Sequence, residues 1–81
     1  MTKFPQTLFI PFIDSPRFGW IVNGDAHADL ASAAKECASA EHDPAIPAWR
    51  ILRIDFHDNG MPEAATDVSE DALAMMDEEA A

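Results

Sequence analysis

Residues 55 to 81 of this 81-residue chain carry nine carboxylates and no cation, a net of −9. Residues 1 to 54 carry six acids and five bases, a net of −1. Charge segregated this strongly within one short chain must gather on one face. The chemistry such a face offers is electrostatic. It repels nucleic acid and anionic membranes, and it attracts basic protein surface in a fast, salt-sensitive encounter. The competing reading is that the charge serves solubility alone.

The pattern of the last residues sharpens the first reading. A helix is predicted from about Glu70, and at about 100° per residue Asp67 (projected just before it), Glu70, Asp71, Asp77 and Glu78 fall within an arc of roughly 120°. Val68, Ala72, Leu73, Met75 and Met76 take the other side. From Asp67 to Glu79 is about 18 Å at helical rise, so six charges give one per ~3 Å, against one per ~3.4 Å along a DNA strand. Asp77, Glu78 and Glu79 lie at the helix C-terminus, where the dipole disfavours negative charge by ~0.3–1 kcal/mol each. No Lys or Arg stands four residues on to relieve them. Stability alone does not select this arrangement, although a solvated terminal tail tolerates it. Asp55 and Asp58 are expected to support the same partner-binding face.

Other residues could do chemistry, and each is weighed on its spacing. Asp55-Phe56-His57-Asp58-Asn59-Gly60 resembles the start of a calcium loop. Its third position is His57 and its twelfth is Thr66, so the bidentate acid that closes such a loop is missing. His27, His42 and His57 have no close helical or strand spacing, and a zinc site needs three or four convergent ligands. Cys37 projects onto an apolar face as a small core residue rather than a nucleophile. No nucleophile motif, phosphate-binding glycine loop or redox cysteine pair is present. No catalytic residue, metal site or cofactor is assigned, and the protein is not expected to be an enzyme. Five scattered bases are too few for direct nucleic-acid binding.

The elements that must position the acids follow from local pattern. Thr7 to Ile13 predicts a strand with Leu8, Ile10 and Phe12 on one face, and Pro11 predicts an edge strand or a bulge. Asp14 to Arg17 has turn chemistry, and Phe18 to Val22 predicts a second strand in a hairpin. Asp25 is a candidate N-cap for a helix over about Ala26 to Glu41, with Ala26, Leu30, Ala33, Ala34 and Cys37 on its packing face. Ala48 to Phe56 is the clearest strand, with Leu52, Ile54 and Phe56 alternating and Trp49 and Ile51 opposite. Asp58 to Gly60 is expected to turn and residues 61 to 65 to loop. Ser69 is a candidate N-cap for the second helix, with Val68 and Leu73 as a hydrophobic staple. The expectation is a single α+β domain over residues 1 to 81. It has a small antiparallel three-stranded sheet, two helices and the order β-β-α-β-α.

With one cysteine no intramolecular disulfide is possible, which fits a reducing, cytoplasmic setting. No apolar run is long enough for a membrane-spanning helix, and Pro5 and Pro11 break the N-terminal stretch that a signal peptide would need.

In size, in the carboxylate row from Asp67 to Glu79 and in the lack of catalytic signatures, the chain resembles small acidic phage-encoded inhibitors of bacterial defence. These are the anti-CRISPR proteins and other DNA mimics. The resemblance is one of general character, and no individual residue carries over from it. It implies binding to the Lys- and Arg-lined DNA groove of a CRISPR surveillance complex in the host cytoplasm, with carboxylates standing where phosphates would lie. Two other classes stay open. One is an antitoxin or small regulatory subunit that binds its partner through apolar surface such as Trp20 or Trp49. The other is a small metal-binding protein using Asp55, His57 and Asp58. The exposed side of the sheet could also support a homodimer.

Overall fold

The structure is a computed structural model that describes residues 6 to 80, with side chains through residue 78. The α+β class holds, but the element order is β-β-α-β-β-α. The elements are β1 (Thr7–Ser15), β2 (Gly19–Val22), α1 (Leu30–Glu41), β3 (Trp49–Phe56), β4 (Pro62–Asp67) and α2 (Ser69–Ala80). One antiparallel sheet of four strands, in the order β2-β1-β3-β4, replaces the expected three.

The additional strand corrects the loop expected at residues 61 to 65. Pro-Glu-Ala-Ala-Thr-Asp has no large apolar side chain and one β-branched residue, Thr66, and every β4 side chain is exposed. Backbone pairing with β3, from Leu52 opposite Asp67 to Phe56 opposite Pro62, holds it in place. Pro62 opens an edge strand, where a missing donor is tolerated.

Pro11 is the second correction. It sits in β1, an interior strand, between β2 and β3. The Asn23 N–H donates to the Pro11 carbonyl at 2.9 Å, so the Pro11 nitrogen points to that same side. There the neighbouring chain has left β2 and turns through Gly24 at φ 90°. The donor that proline lacks is thus missing where no strand runs alongside. Past this turn His27 returns to β1 and exchanges two 2.8 Å backbone bonds with Phe9.

That return also moves the start of the first helix. His27 is committed to pairing with β1, so α1 begins at Leu30 and Asp29, not Asp25, is its N-cap. The Asp29 carboxylate accepts from the Ser32 N–H at 2.8 Å. Ala33, Ala34, Cys37 and Ala40 form the buried stripe of α1. Small side chains let this helix lie close against β1 and β3.

The core gathers on one side of the sheet. Ile51 and Trp49 of β3 pack with the α1 stripe and with Ala72 of α2, flanked by Phe9, Ile13, Val68 and Met76. Ser69 does not cap α2. Its hydroxyl instead accepts from the Ile51 N–H at 2.9 Å, which ties the helix start to β3. Val68 packs on the core, whereas Leu73 is exposed.

Ile51 is fully buried at the centre of this layer. Ile51→Val is expected to lower unfolding free energy by about 1 kcal/mol. Urea denaturation of the variant against the wild type checks this. Ile54→Val, on the uncovered side of the same strand, is expected to cost less in the monomer.

Candidate functional site

α2 carries its packing residues and its acids on opposite sides. Ala72 is buried and Met76 partly so, while Glu70, Asp71, Asp77 and Glu78 all point to solvent. Among the described residues none of these four forms an ion pair or side-chain hydrogen bond with a neighbour. They do not make a continuous row. Residues 72 to 76 are uncharged, so the acids form two doublets about 10 Å apart along the axis.

The first doublet belongs to a larger arrangement. Glu70 and Asp71 line a surface groove of about 920 Å³ together with Glu41 at the end of α1, Asp67, and the loop from Ile46 to Ala48. Glu41 was not legible as a site residue. It lies 26 positions from Asp67 in sequence, and only the antiparallel packing of the helices brings it there. Its carboxylate accepts from the Trp49 indole N–H on the groove floor.

Asp67 differs from the acids of α2. It is the last residue of β4, not a forerunner of the helix row. Its carboxylate accepts from both the hydroxyl and the N–H of Ser69 and lies 3.6 Å from the Arg50 guanidinium. The Ser69 hydroxyl first, then the Ser69 N–H, hold the Asp67 carboxyl below its ordinary range, with a smaller pull from Arg50. Asp67 therefore fixes the β4–α2 junction and is partly neutralised.

Asp55 and Asp58 are not joined to the helix by any described contact. Asp55 accepts from the Thr7 hydroxyl at 2.9 Å and from the Arg53 guanidinium at 3.2 Å. Asp58 accepts from the Gln6 amide at 3.1 Å. His57 turns toward Glu63, at 4.0 Å. These side chains are directed at separate partners, and among the described residues no group of three or more ligating side chains converges to hold a metal. The Glu79 side chain lies outside the described residues. Cys37 is fully buried, and burial, with the Glu36 charge adding, pushes its thiol up to about 11. A thiol held protonated in this way is a poor nucleophile.

The second surface is the other face of the sheet. The helices cover the face that bears Phe9, Ile13, Trp49 and Ile51. Strand alternation puts Leu8, Ile10 and Phe12 of β1 on the opposite face, beside Leu52 and Ile54 of β3 and Val22 of β2. Among the described residues no element lies over them. Trp20 and Val22 are 51% and 50% exposed. Arg50, the cation of this face, sits 5.8 Å from the Trp20 ring centroid while it engages Asp67. No described helix is long and apolar enough to cross a membrane.

Because its folded-state pKa is depressed, the Asp67 contribution to stability is complete above the ordinary carboxylate value. It is lost as pH falls through the lower folded value. Asp67→Asn is expected to destabilise by less than about 1 kcal/mol at neutral pH, given its exposure. Urea midpoints should show that difference narrowing as pH falls below the ordinary carboxylate range and the wild-type carboxylate also loses its charge.

The chain matches no protein-family model, no curated protein and no solved structure.

Proposed function

We propose that this protein acts by binding rather than catalysis, as an inhibitor that presents the α2 carboxylates to a basic protein surface. The observation that carries this reading is the state of Glu70, Asp71, Asp77 and Glu78. All four are exposed, and no described cation is spent on them. Intramolecular pairing would have been easy to provide on a helix. Leaving it out keeps the full charge for a partner. The groove beside Glu70 and Asp71, with Glu41 on its far wall, offers room for a Lys or Arg side chain from that partner.

A basic groove built for DNA supplies the complementary chemistry. A CRISPR surveillance complex is the candidate that the acidic, inhibitor-like character of the chain favours, and the bacterial cytoplasm is where the two would meet. Charge in two doublets suits a pair of basic clusters about 10 Å apart better than an evenly spaced phosphate track. A second reading, a regulatory subunit or antitoxin that grips its partner through apolar surface, draws support from the uncovered sheet face.

A competition assay separates these readings. Surveillance complexes capture labelled target DNA in the presence of wild-type protein or of E70K/D71K/D77K/E78K. The wild type is expected to block capture, less well as salt rises, and the folded variant to lose at least about a hundredfold in potency. Block that is equal for both proteins and indifferent to salt would place the activity on the apolar surface. No block across several complexes would remove the inhibitor reading.

A further inference from the structure

We propose that α2 is crossed by a basic amphipathic helix of the partner protein, which lays its apolar stripe over Leu73, Ala74 and Met75 and its cations on the acid doublets to either side. This rests on the reading of α2 as an acidic binding face, and adds what the partner presents there. Residues 72 to 76 separate the doublets, and of these Ala72 is buried and Met76 partly so. Leu73 and Met75 are 38% and 37% exposed, and Ala74 between them is exposed as well. At about 100° per residue Ala74 sits on the crest of the helix, with Leu73 and Met75 on opposite flanks. The three form an apolar band across α2.

The band runs into a cleft on each side. Leu73 lines the wide groove that also holds Glu70 and Asp71. Met75 and Met76 line a second cleft of about 340 Å³ against Ala31, Ala34 and Ala38 of α1, with Glu78 at its lip. The alanines leave this cleft open, because no large side chain rises from them to fill it. Its volume falls within the ~300–1,000 Å³ of ligand clefts, and methionine adapts its shape to an incoming apolar side chain. Single exposed apolar residues are ordinary on a protein surface. Here the two are joined across the crest, and each continues into a cleft.

Charge and width select the occupant. The doublets stand on both sides of the band, about 10 Å apart along the axis, and a helix with its side chains is about 10–12 Å across. A helix laid over the band therefore brings one edge against Glu70 and Asp71 and the other against Asp77 and Glu78. Cations on those edges meet carboxylates that no described cation engages. Two cations border the clefts, Lys35 and Arg50, and Arg50 is already engaged by Asp67. Apolar contact at the centre with charge at the rim is the arrangement of a specific protein interface. A surface that only replaced phosphates would have no use for the apolar band. The mode is a helix docked by its apolar face, with the charges fixing where it lies.

Two synthetic peptides of identical composition, added to the full chain, test this. One is a helix with a leucine stripe at helical spacing and a row of lysines along each edge of the stripe. The other scrambles the same residues so that no stripe forms. Affinity is read by fluorescence anisotropy, and the contact is mapped by amide shifts of the labelled protein. The striped peptide is expected to bind at least about tenfold tighter than the scrambled one, which is what burial of a single large apolar side chain provides. Shifts should centre on residues 70 to 78 and extend to Ala31 and Ala38. L73S/M75S, at exposed positions, should bring the striped peptide down to the level of the scrambled one and leave the latter unchanged. E70K/D71K/D77K/E78K should lose both. Equal affinity of wild-type protein for the two peptides, abolished in the lysine variant, overturns this inference and leaves the acidic face standing. Tight binding of the striped peptide that persists in the lysine variant overturns both. Absence of binding by either peptide up to about millimolar also overturns the inference. The wild-type comparison decides the matter even if L73S/M75S fails to fold.

Discussion

Two helices of 12 residues each cannot cover both sides of a four-stranded sheet, and that shortage governs the rest of this molecule. α1 follows β2 and α2 follows β4, strands that run in opposite directions, and both helices pack on the face that bears Trp49 and Ile51. The helix layer is thin, with alanines and one cysteine in the α1 stripe and Ala72 at the α2 contact. Much of the large apolar bulk of β1 and β3 lies on the other face, where no described element reaches it. A domain of this size buries only about 60% of its unfolded surface, so an apolar area left open is a large share of what it could gain.

The same constraint explains which parts of the structure were legible in the sequence. Alternation located β1, β2 and β3, because both of their faces carry large side chains. It did not say which face the helices would take. Leu52, Ile54 and Phe56 make the more regular pattern, yet Trp49 and Ile51 meet the core. The choice depends on where α1 crosses back, and that is set by the Phe9–His27 backbone pair, which has no side-chain signature. β4 was hidden for a related reason, since only its backbone is used. Asp25 and Asp29 are equally good caps in composition. Pairing with β1 claims His27, just after Asp25, and so only Asp29 is free to serve.

Among the acids, the helical wheel placed Glu70, Asp71, Asp77 and Glu78 correctly on one side of α2. It gave Asp67 the wrong neighbours, because a projection cannot see that the chain is still a strand there. It could not find Glu41, whose place beside Glu70 and Asp71 is purely tertiary. Asp55 and Asp58 were grouped with α2 on charge alone, and in the fold each is engaged by a neighbour, Arg53 with Thr7 for the one and Gln6 for the other.

The two surfaces are separated by the sheet, and that separation bears on how they could work together. The energetics of the apolar face rest on excluding water, which is short-ranged and insensitive to salt. The energetics of α2 rest on long-range attraction, which salt weakens. Placed on one face they would conflict wherever no cation of a partner met the acids, because carboxylates beside an apolar contact would have to be desolvated. Placed back to back they are independent.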